Sequence, residues 1–337
     1  MASWRALLSA SPMLFRDFPV DYDARYDLVH TLRLDVATVE RSVFLDNRID
    51  ADLAAATVLA RAAMPPVAPE SRAAILLHTS FCGSTLLAKA LHDRERRIAL
   101  REPLVFRRLA DAHHNGQAMG AALADLTCRV VQPWSNGAAV LVKPTHVALP
   151  IASGLLDALP QAPVLALTSS LEDFLLSNLR KPAETQARTG ELVARQARGN
   201  PLDLRTLALP REPDFLDIVA LQWSLQREWL AAVQRRFPGR MKVVDASALY
   251  ARPVATLVAG SAWLGDPLDE TGAAARLQPL LGVHAKAPHL AYDAATRESH
   301  NAMVREACGP ALRAALDRWA AVVAPAMGPD TLDWLDA

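Results

Sequence analysis

Residues 74–103 constrain the fold of this chain most, because a short apolar run, a turn of small residues and a helical pattern follow one another there. The run 74–77 has the length and composition of a buried strand, and residues 86, 87, 90 and 91 place apolar side chains on one side of a helix. The turn 78–85 between them reads HTSFCGST. A turn of this kind directs backbone N–H groups and a helix N-terminus at an anion. It therefore predicts an anion-binding loop, and an ordinary capped strand-to-helix turn remains the alternative.

The loop has a glycine and two hydroxyl residues in positions that suit phosphate binding. Gly83 lets the backbone come close to a ligand, and Ser84 or Thr85 can cap the helix and offer a hydroxyl to a phosphate oxygen. We expect Gly83→Val to block the ligand and to leave the fold largely intact. The lysine of the nucleoside triphosphatase loop is missing, since the residue before Ser84 is Gly83 and Lys89 lies more than a turn into the helix. This absence argues against ordinary hydrolysis of ATP or GTP.

From residue 72 onward, apolar runs of strand length alternate with helical patterns, which predicts the fold class. We expect an α/β three-layer sandwich, with a central parallel sheet of about five strands and helices on both faces. The predicted strands are 74–77, 98–100, 138–142, 164–167 and 241–244. The predicted helices are 104–129 with a break at 115–116, then 150–159, 184–198, 213–237, 247–263 and 296–323.

The first 70 residues read as an N-terminal extension that packs on the main domain of residues 71–337. Residues 36–45 favour a strand or the edge of one, and residues 50–63 give an Ala- and Leu-rich helical pattern. The segment 64–69, MPPVAP, then breaks regular structure and marks the predicted boundary.

Charge and cysteine content exclude several classes of partner. Lys and Arg number 36 against 36 Asp and Glu, so no electrostatic footprint predicts nucleic acid or an anionic membrane as partner. The three cysteines give neither a disulfide framework nor a zinc spacing, and the histidines predict no metal site. Residues 4–8 form an apolar patch without an extended signal region, and no apolar run approaches the length of a membrane span. We expect a soluble cytoplasmic protein with reduced thiols, and the sequence leaves its oligomeric state open.

Polar side chains follow four of the predicted strands where each strand ends, at 78–85, 102, 143–146 and 168–170. These ends meet at one edge of a parallel sheet, where open α/β sheets bind ligands. Hydroxyls, one carboxylate, one lysine and one histidine fit a transfer reaction. Taken singly, Glu102 also fits a carboxylate at a helix start, and His146 a loop histidine bonded to the backbone.

Residues 74–103 resemble the P-loop-like sulfotransferase family, which uses 3′-phosphoadenosine 5′-phosphosulfate (PAPS), and are most similar to its bacterial branch. The shared features are a loop ending in Gly-Ser-Thr-Leu-Leu and a Glu-Pro step after the next strand. The resemblance implies that the loop holds the 5′-phosphosulfate end of PAPS and that Glu102 is a candidate catalytic base. The loop residues so implied are Ser80, Phe81, Cys82, Gly83, Ser84 and Thr85.

Later segments, including the strand, turn and helix of residues 243–265, extend the resemblance to about residues 72–320. Residues 140–150, VLVKPTHVALP, are similar to the family's Lys-Thr-His-Leu-Pro segment, with Pro144 as one extra residue, and imply catalytic roles for Lys143 and His146. Residues 167–180 resemble the 3′-phosphate motif, with Asp173 and Ser177 at matching positions and Ser169 in place of its arginine. Phe81 likewise occupies a loop position that is usually cationic. Lys286 and Arg297 stand where bacterial members keep a basic loop over PAPS.

The resemblance implies transfer of the sulfuryl group of PAPS to a hydroxyl or amine of a small-molecule acceptor, without a metal. Lys143 would neutralise charge on the bridging oxygen, and Glu102, with His146 as second candidate, would take the acceptor's proton. We expect partial desolvation on substrate binding, together with the nearby negative charge of PAPS, to raise the pKa of Glu102 toward the working pH. Two alternatives stay open. One is a nucleotide-dependent phosphotransferase or kinase on a P-loop-like fold; the other is a catalytically inactive nucleotide-binding relative, which Phe81 and Ser169 favour.

Overall fold

A computed structural model describes residues 14–68, 70, 72–291, 293–327 and 330–336. The apolar patch at 4–8 and Pro69 of the predicted boundary lie outside the described residues. In the N-terminal part the elements are β1 (Phe15–Asp23), β2 (Leu28–Asp35), α1 (Val36–Arg41) and β3 (Thr57–Ala60).

The main part alternates strands and helices as far as the last strand of its sheet. Its elements in chain order are β4 (Ala74–His78), α2 (Ser84–Ala90), β5 (Arg97–Arg101), α3 (Leu104–His114), α4 (Gly120–Val130), β6 (Ala139–Lys143), α5 (Ala152–Ala158), β7 (Val164–Thr168), α6 (Leu171–Leu179), α7 (Ala183–Ala187), α8 (Thr189–Ala197), α9 (Phe215–Arg236), β8 (Met241–Asp245), α10 (Ala246–Ala251), α11 (Pro253–Trp263), α12 (Glu270–Leu277), β9 (Val283–His284), β10 (Ala287–Ala291), α13 (Ala294–Val322) and α14 (Ala324–Met327). Within the part of the chain that the structure describes, no helix is both long enough and apolar enough to cross a bilayer.

The central sheet has five strands in the order β5-β6-β4-β7-β8, and every neighbouring pair is parallel. The predicted fold class, an α/β sandwich around a parallel sheet of about five strands, is confirmed. β4 is the middle strand, so the loop that follows it opens at the centre of the carboxyl edge. The polar residues after β5, β6 and β7 reach the same edge from both sides.

Alternate residues of the strands supply two hydrophobic cores, one on each face of the sheet. Ile75 and Leu77 of β4 join the core that contains side chains of α3, α4, α5 and α9. Ala74 and Leu76 point to the opposite face, toward α2, α10, α11 and α12. Because both faces are covered, β4–β7 are buried along their whole length, which explains their continuous apolar sequences.

The N-terminal part departs from both secondary-structure predictions made for it. The segment 36–45 is not a strand: it begins with α1, whose first turn is capped by the Asp35 carboxylate accepting from the Thr38 N–H at 2.6 Å. The segment 50–63 is not a helix, because residues 57–60 form β3 and pair antiparallel with β2. Pairing with a neighbouring strand outweighs the local helical preference of this Ala-rich stretch.

The three-stranded sheet β1-β2-β3 packs against the main part through a shared core. Phe18, Val20 and Val29 lie in the same buried cluster as Val105 and Leu109 of α3. The Arg101 guanidinium at the end of β5 also donates to the carbonyls of Val39 and Ser42, each at 2.6 Å. These contacts bring the segment after α1 to the carboxyl edge of the central sheet.

Candidate functional site

A cavity of about 470 Å³ opens at the carboxyl edge of the sheet. The loop 80–85, the end of β5 and the β9–β10 hairpin line it together. The predicted site residues in its wall are Ser80, Phe81, Cys82, Gly83, Ser84, Thr85, Glu102, His146, Ser177, Lys286 and Arg297. Lys143 and Ser169 lie behind the wall, where they are 0% and 2% exposed.

The loop 80–85 holds two residues in the left-handed region of backbone conformation. Phe81 has φ +60° and Gly83 has φ +89°. A bulky residue at positive φ is strained, and such strain persists only where the surroundings fix it. Here the Ser80 N–H donates to the Gln226 Oε1 at 2.8 Å, and the Cys82 thiol donates to the Thr79 carbonyl at 3.0 Å. The loop therefore has a defined shape before any ligand binds.

Helix α2 begins directly after Gly83, without a side-chain cap. The prediction that Ser84 or Thr85 caps this helix is wrong, because both residues already lie in its first turn. The N–H groups of a first helical turn have no partner within the helix. Beside the Ser84 and Thr85 hydroxyls they form a concave surface of hydrogen-bond donors that suits an anion.

Gly83 also packs against Tyr250 of α10, which changes what a substitution there does. A Cβ at position 83 would lie 2.7 Å from the Tyr250 Oη and 3.2 Å from its Cζ. Together with the positive φ, this contact means that Gly83→Val strains the loop itself. The expectation that this variant leaves the rest of the fold largely intact stays a prediction.

Glu102 forms a buried ion pair with Lys143 on the neighbouring strand. The Lys143 Nζ lies 2.6 Å from the Glu102 Oε1, and the lysine side chain is fully buried. Burial alone would raise the pKa of Glu102, but the Lys143 charge, its hydrogen bond and the neighbouring His78 and His146 together outweigh burial and lower the pKa to about 2. Burial also lowers the pKa of Lys143, and Glu102 opposes that effect. The sequence did not reveal this pairing, and the rise in the pKa of Glu102 expected when substrate binds stays a prediction.

Glu102 also has an unusual backbone, with φ +55°. Pro103 favours an extended conformation for the residue before it, and Glu102 departs from that preference into the left-handed region. Its N–H donates to the Lys143 carbonyl at 2.7 Å, so backbone and side chain both tie it to the end of β6.

Two histidines lie next to this pair, with their ring centres 6.1 Å apart in an edge-to-face arrangement. His78 lies between two carbonyl oxygens, that of Thr79 at 2.9 Å from Nδ1 and that of Pro144 at 3.0 Å from Nε2, and its neutral ring donates to one of them. The buried Nε2 of His146 has no hydrogen-bond partner among the described residues. Burial lowers the pKa of His146 to about 4 and that of His78 well below its usual value, so both rings are neutral at pH 7. His146 thus has an unsatisfied ring nitrogen in the cavity wall.

The segment predicted to bind a 3′-phosphate divides between the cavity and the protein interior. Ser177 lies in the cavity wall, where its hydroxyl accepts from the Arg180 Nη2 at 3.3 Å. Asp173 pairs with Arg297 of α13 at 3.0 Å. Ser169 is turned inward, with a buried hydroxyl that finds no partner among the described residues. Arg180 and Arg297 thus bring two guanidinium groups to the same cavity wall as Ser177.

The sequence prediction missed several side chains of the wall, including Arg180 and Lys181 from the α6–α7 turn. It also missed Phe44 and Arg48 from the segment after α1, and Tyr250. Lys181 is one of only five lysines in the chain, which was the one available signal. Lys89, the lysine nearest the loop in sequence, donates to the Ala285 carbonyl at 2.7 Å and holds the β9–β10 hairpin.

The fold and the wall together define an α/β protein with a predominantly cationic cavity at the carboxyl edge of a parallel sheet. Five lysine and arginine side chains reach the wall, against the carboxylates of Glu102 and Asp293. In the parts of the chain that the structure describes, no group of three or more His, Cys, Asp or Glu side chains could hold a metal ion.

No family model matches the chain, and no curated protein matches it. Among solved structures, it is similar to the sulfotransferase domain from the curacin biosynthetic pathway, at 15% identity and a TM-score of 0.41 over 73% of this chain and 98% of that chain. It is also similar to the sulfotransferase domain of the Synechococcus PCC 7002 olefin synthase, at 15% identity and a TM-score of 0.37 over 72% of this chain and 96% of that one. A sulfotransferase from Alicyclobacillus acidocaldarius is similar at 15% identity and a TM-score of 0.35, over 61% of this chain and 94% of that chain. These proteins carry the name of the family that the sequence motifs resemble. The fold class itself rests on the strand order and the two cores.

Proposed function

We propose that this chain is a sulfotransferase that moves the sulfuryl group of PAPS to a hydroxyl or amine of a small-molecule acceptor. The observation that carries the proposal is the cavity, where a preformed loop of backbone and hydroxyl donors faces a carboxylate with a histidine beside it. The cavity wall also carries a surplus of lysine and arginine side chains.

The described side chains fit a phosphorylated nucleotide as co-substrate. Ser84, Thr85 and the first-turn N–H groups suit its 5′ end, while Arg180, Ser177 and Arg297 suit a 3′-phosphate. Tyr250, Pro253, Leu280, Leu281 and Val283 give the same cavity a surface suited to a planar base. The co-substrate supplies an activated sulfuryl group, so that the acceptor oxygen forms a bond to sulfur as the sulfur–oxygen bond to the phosphate breaks.

Glu102 is the group that we propose receives the acceptor's proton. With a pKa of about 2 it is ionised at every working pH, and so it is always able to accept. It is a weak base while Lys143 is paired with it. A weak base suits a displacement with a loose transition state, in which the acceptor's proton leaves late. Lys143 acts through Glu102, because its ammonium is fully buried against that carboxylate. His146, neutral and with an unsatisfied Nε2, is the second candidate for the same role.

Ligand-induced stabilisation tests the nature of the co-substrate. Adenosine 3′,5′-bisphosphate should raise the melting temperature of the protein, whereas ATP with Mg²⁺ should change it little. A ligand at one hundred times its Kd stabilises the folded state by about 2.7 kcal/mol, which is readily measured. Incubation with PAPS labelled at sulfur and a panel of small alcohols, phenols and amines should then transfer label to an acceptor.

The two alternatives predict different results in these experiments. A nucleotide-dependent phosphotransferase would be stabilised by ATP–Mg²⁺ and not by the bisphosphate, which would sink the present proposal. An inactive relative would bind the bisphosphate but transfer no label to any acceptor and release none to water.

A further inference from the structure

We infer that Lys181 is an anion-binding residue of the cavity. Its ammonium is held on the ring of Phe81, beside the loop 80–85, where it faces the anionic end of the ligand. The inference deepens the proposed function and rests on it only in taking the cavity to be the site of an anionic ligand.

Lys181 has a fixed position at the end of α6. Its N–H donates to the Asn178 carbonyl at 3.0 Å, and its carbonyl accepts from the Gln186 side chain at 2.9 Å. The Nζ atom lies 4.5 Å from the centre of the Phe81 ring. That ring packs against Phe174 of α6 with centres 5.9 Å apart. Helix α6, which leads into the turn that carries the lysine, therefore also positions the ring beneath it.

Within the described part of the chain, the charge of Lys181 has no counter-ion. Among the residues that the structure describes, no carboxylate forms an ion pair with Lys181 or with Lys286. The charged and titratable groups that face Lys181 are Arg180 on its own turn, and Lys286 and His284 from the β9–β10 hairpin. None of these is an acid, so the ring face of Phe81 is the main attraction that the protein itself offers to the ammonium.

Like charges in a half-buried wall repel one another, and an anion placed among them relieves that repulsion. Burial, Lys286 and Arg180 lower the pKa of Lys181 to about 8. A bound phosphate or sulfate reverses this effect and raises the pKa. Binding of an anion to Lys181 therefore takes up a proton above pH 8, and the affinity falls as the free lysine loses its charge.

The test is the pH dependence of anion affinity, measured by titration calorimetry from pH 6.5 to 9.5 with adenosine 3′,5′-bisphosphate and with inorganic pyrophosphate. The parent should bind with constant affinity up to pH ~8 and more weakly above it. Lys181→Met should lose roughly ten- to hundredfold in affinity at pH 7, the usual weight of a hydrogen bond from a charged group, and should not weaken further above pH 8. Lys181→Arg keeps its charge, so it should bind well and show no decline.

Lys242→Met is the matched control, because Lys242 pairs with Asp333 at 2.6 Å and lies outside the cavity wall. It should bind both anions as the parent does. A purely structural role for Lys181, tying the α6–α7 turn to the loop, predicts altered melting in Lys181→Met and an unchanged decline above pH 8 in Lys181→Arg.

Three outcomes overturn the inference: parental affinity in Lys181→Met, a decline above pH 8 that persists in Lys181→Arg, or a parent that binds neither anion. Binding of pyrophosphate through Lys181 without stabilisation by the bisphosphate would uphold the inference and contradict the proposed co-substrate. If the bisphosphate binds with the same affinity whether or not Lys181 is present, the inference is contradicted and the proposed co-substrate is upheld.

Discussion

Two neighbouring regions of the same cavity are built on different principles. The loop 80–85 is one continuous segment, and its shape is set by backbone conformation, with Phe81 and Gly83 at positive φ. The strand-end cluster, formed by His78, Glu102, Lys143 and His146, takes its members from the ends of β4, β5 and β6. The Glu102–Lys143 ion pair, with a separation of 2.6 Å between Nζ and Oε1, is the strongest interaction within that cluster.

The difference explains which properties a sequence can reveal. A loop made of consecutive small residues between a strand and a helix has a recognisable local pattern. The protonation of the cluster depends on which side chains the sheet brings together, and the sign of a pKa shift follows from those neighbours. Glu102 is an example, since burial raises its pKa while its neighbours, Lys143 above all, together lower it.

The largest expected effect comes from removing the carboxylate of the cluster. Glu102→Gln keeps the shape of the side chain and removes its basicity, so turnover should fall by ~10²–10⁴-fold, the usual weight of general-base catalysis. Affinity for adenosine 3′,5′-bisphosphate should be unchanged or slightly higher, because one negative charge beside an anionic ligand has been removed. The measurement is single-turnover release of the bisphosphate from PAPS, with and without acceptor.

His146→Asn is the matched variant for this experiment, because it removes the other candidate base from the same cluster. We expect the smaller loss from it. Near-parental turnover in Glu102→Gln together with an inactive His146→Asn would transfer the role of base to His146.

The second effect concerns the stability of the cluster. Lys143→Met leaves the Glu102 carboxylate buried without its partner, and breaking a buried ion pair in this way costs about 3–5 kcal/mol. The double variant Glu102→Gln/Lys143→Met should recover much of that loss, because no buried charge remains. Denaturant unfolding at pH 7 of the parent, both single variants and the double variant measures this coupling.

The pH dependence of unfolding sharpens the same test, because the change in stability with rising pH has opposite signs in the parent and in Lys143→Met. In the parent, the pKa of Glu102 lies below its usual value of 4.5, so its contribution to stability is present above pH 4.5 and is lost as the pH falls toward 2. In Lys143→Met, the main charge that opposes burial is removed, so that pKa should rise and stability should be lost as the pH rises above 4.5. Equal losses in this variant at pH 5 and pH 8 would contradict the pairing as the controlling interaction.

The central sheet was predictable from the sequence because of how its strands are buried. Strands covered on both faces read as continuous apolar runs, and helical patterns between them require parallel crossovers. The N-terminal sheet was not predictable in this way. β1 reads FRDFPVDYD and contains a register shift between Pro19 and Asp21, and β3 is exposed at every position. Its place depends on pairing with β2, which local patterns do not encode.

The candidate site likewise contains residues that the sequence predicts and residues that it does not. The loop, Glu102 and His146 reach the cavity as predicted, because the ends of parallel strands share an edge. Lys181 and Arg48 reach it from turns whose direction is set by tertiary packing, and no spacing rule connects them to the loop. Lys143 was predicted at the correct edge, but its burial behind Glu102 follows from which face of β6 it occupies.

The smallest expected effect is that of Gly83→Ala in the loop. Unlike the effect of Lys143→Met in the cluster, it should be independent of pH. Gly83→Ala places a Cβ at φ +89° and 2.7 Å from the Tyr250 Oη, so the free energy of unfolding should fall by about 1–3 kcal/mol, the usual cost of a strained backbone position. Adding Tyr250→Phe removes the closest contact and should recover only part of the loss, since φ is unchanged. No ionisable group changes in Gly83→Ala, so its loss of stability should be the same at pH 5 and pH 8, whereas that of Lys143→Met should grow.

Parental stability in Gly83→Ala would mean that the loop relaxes to another conformation and is not fixed in the shape described. A loss in Gly83→Ala that changes with pH would instead show that the loop and the cluster are coupled.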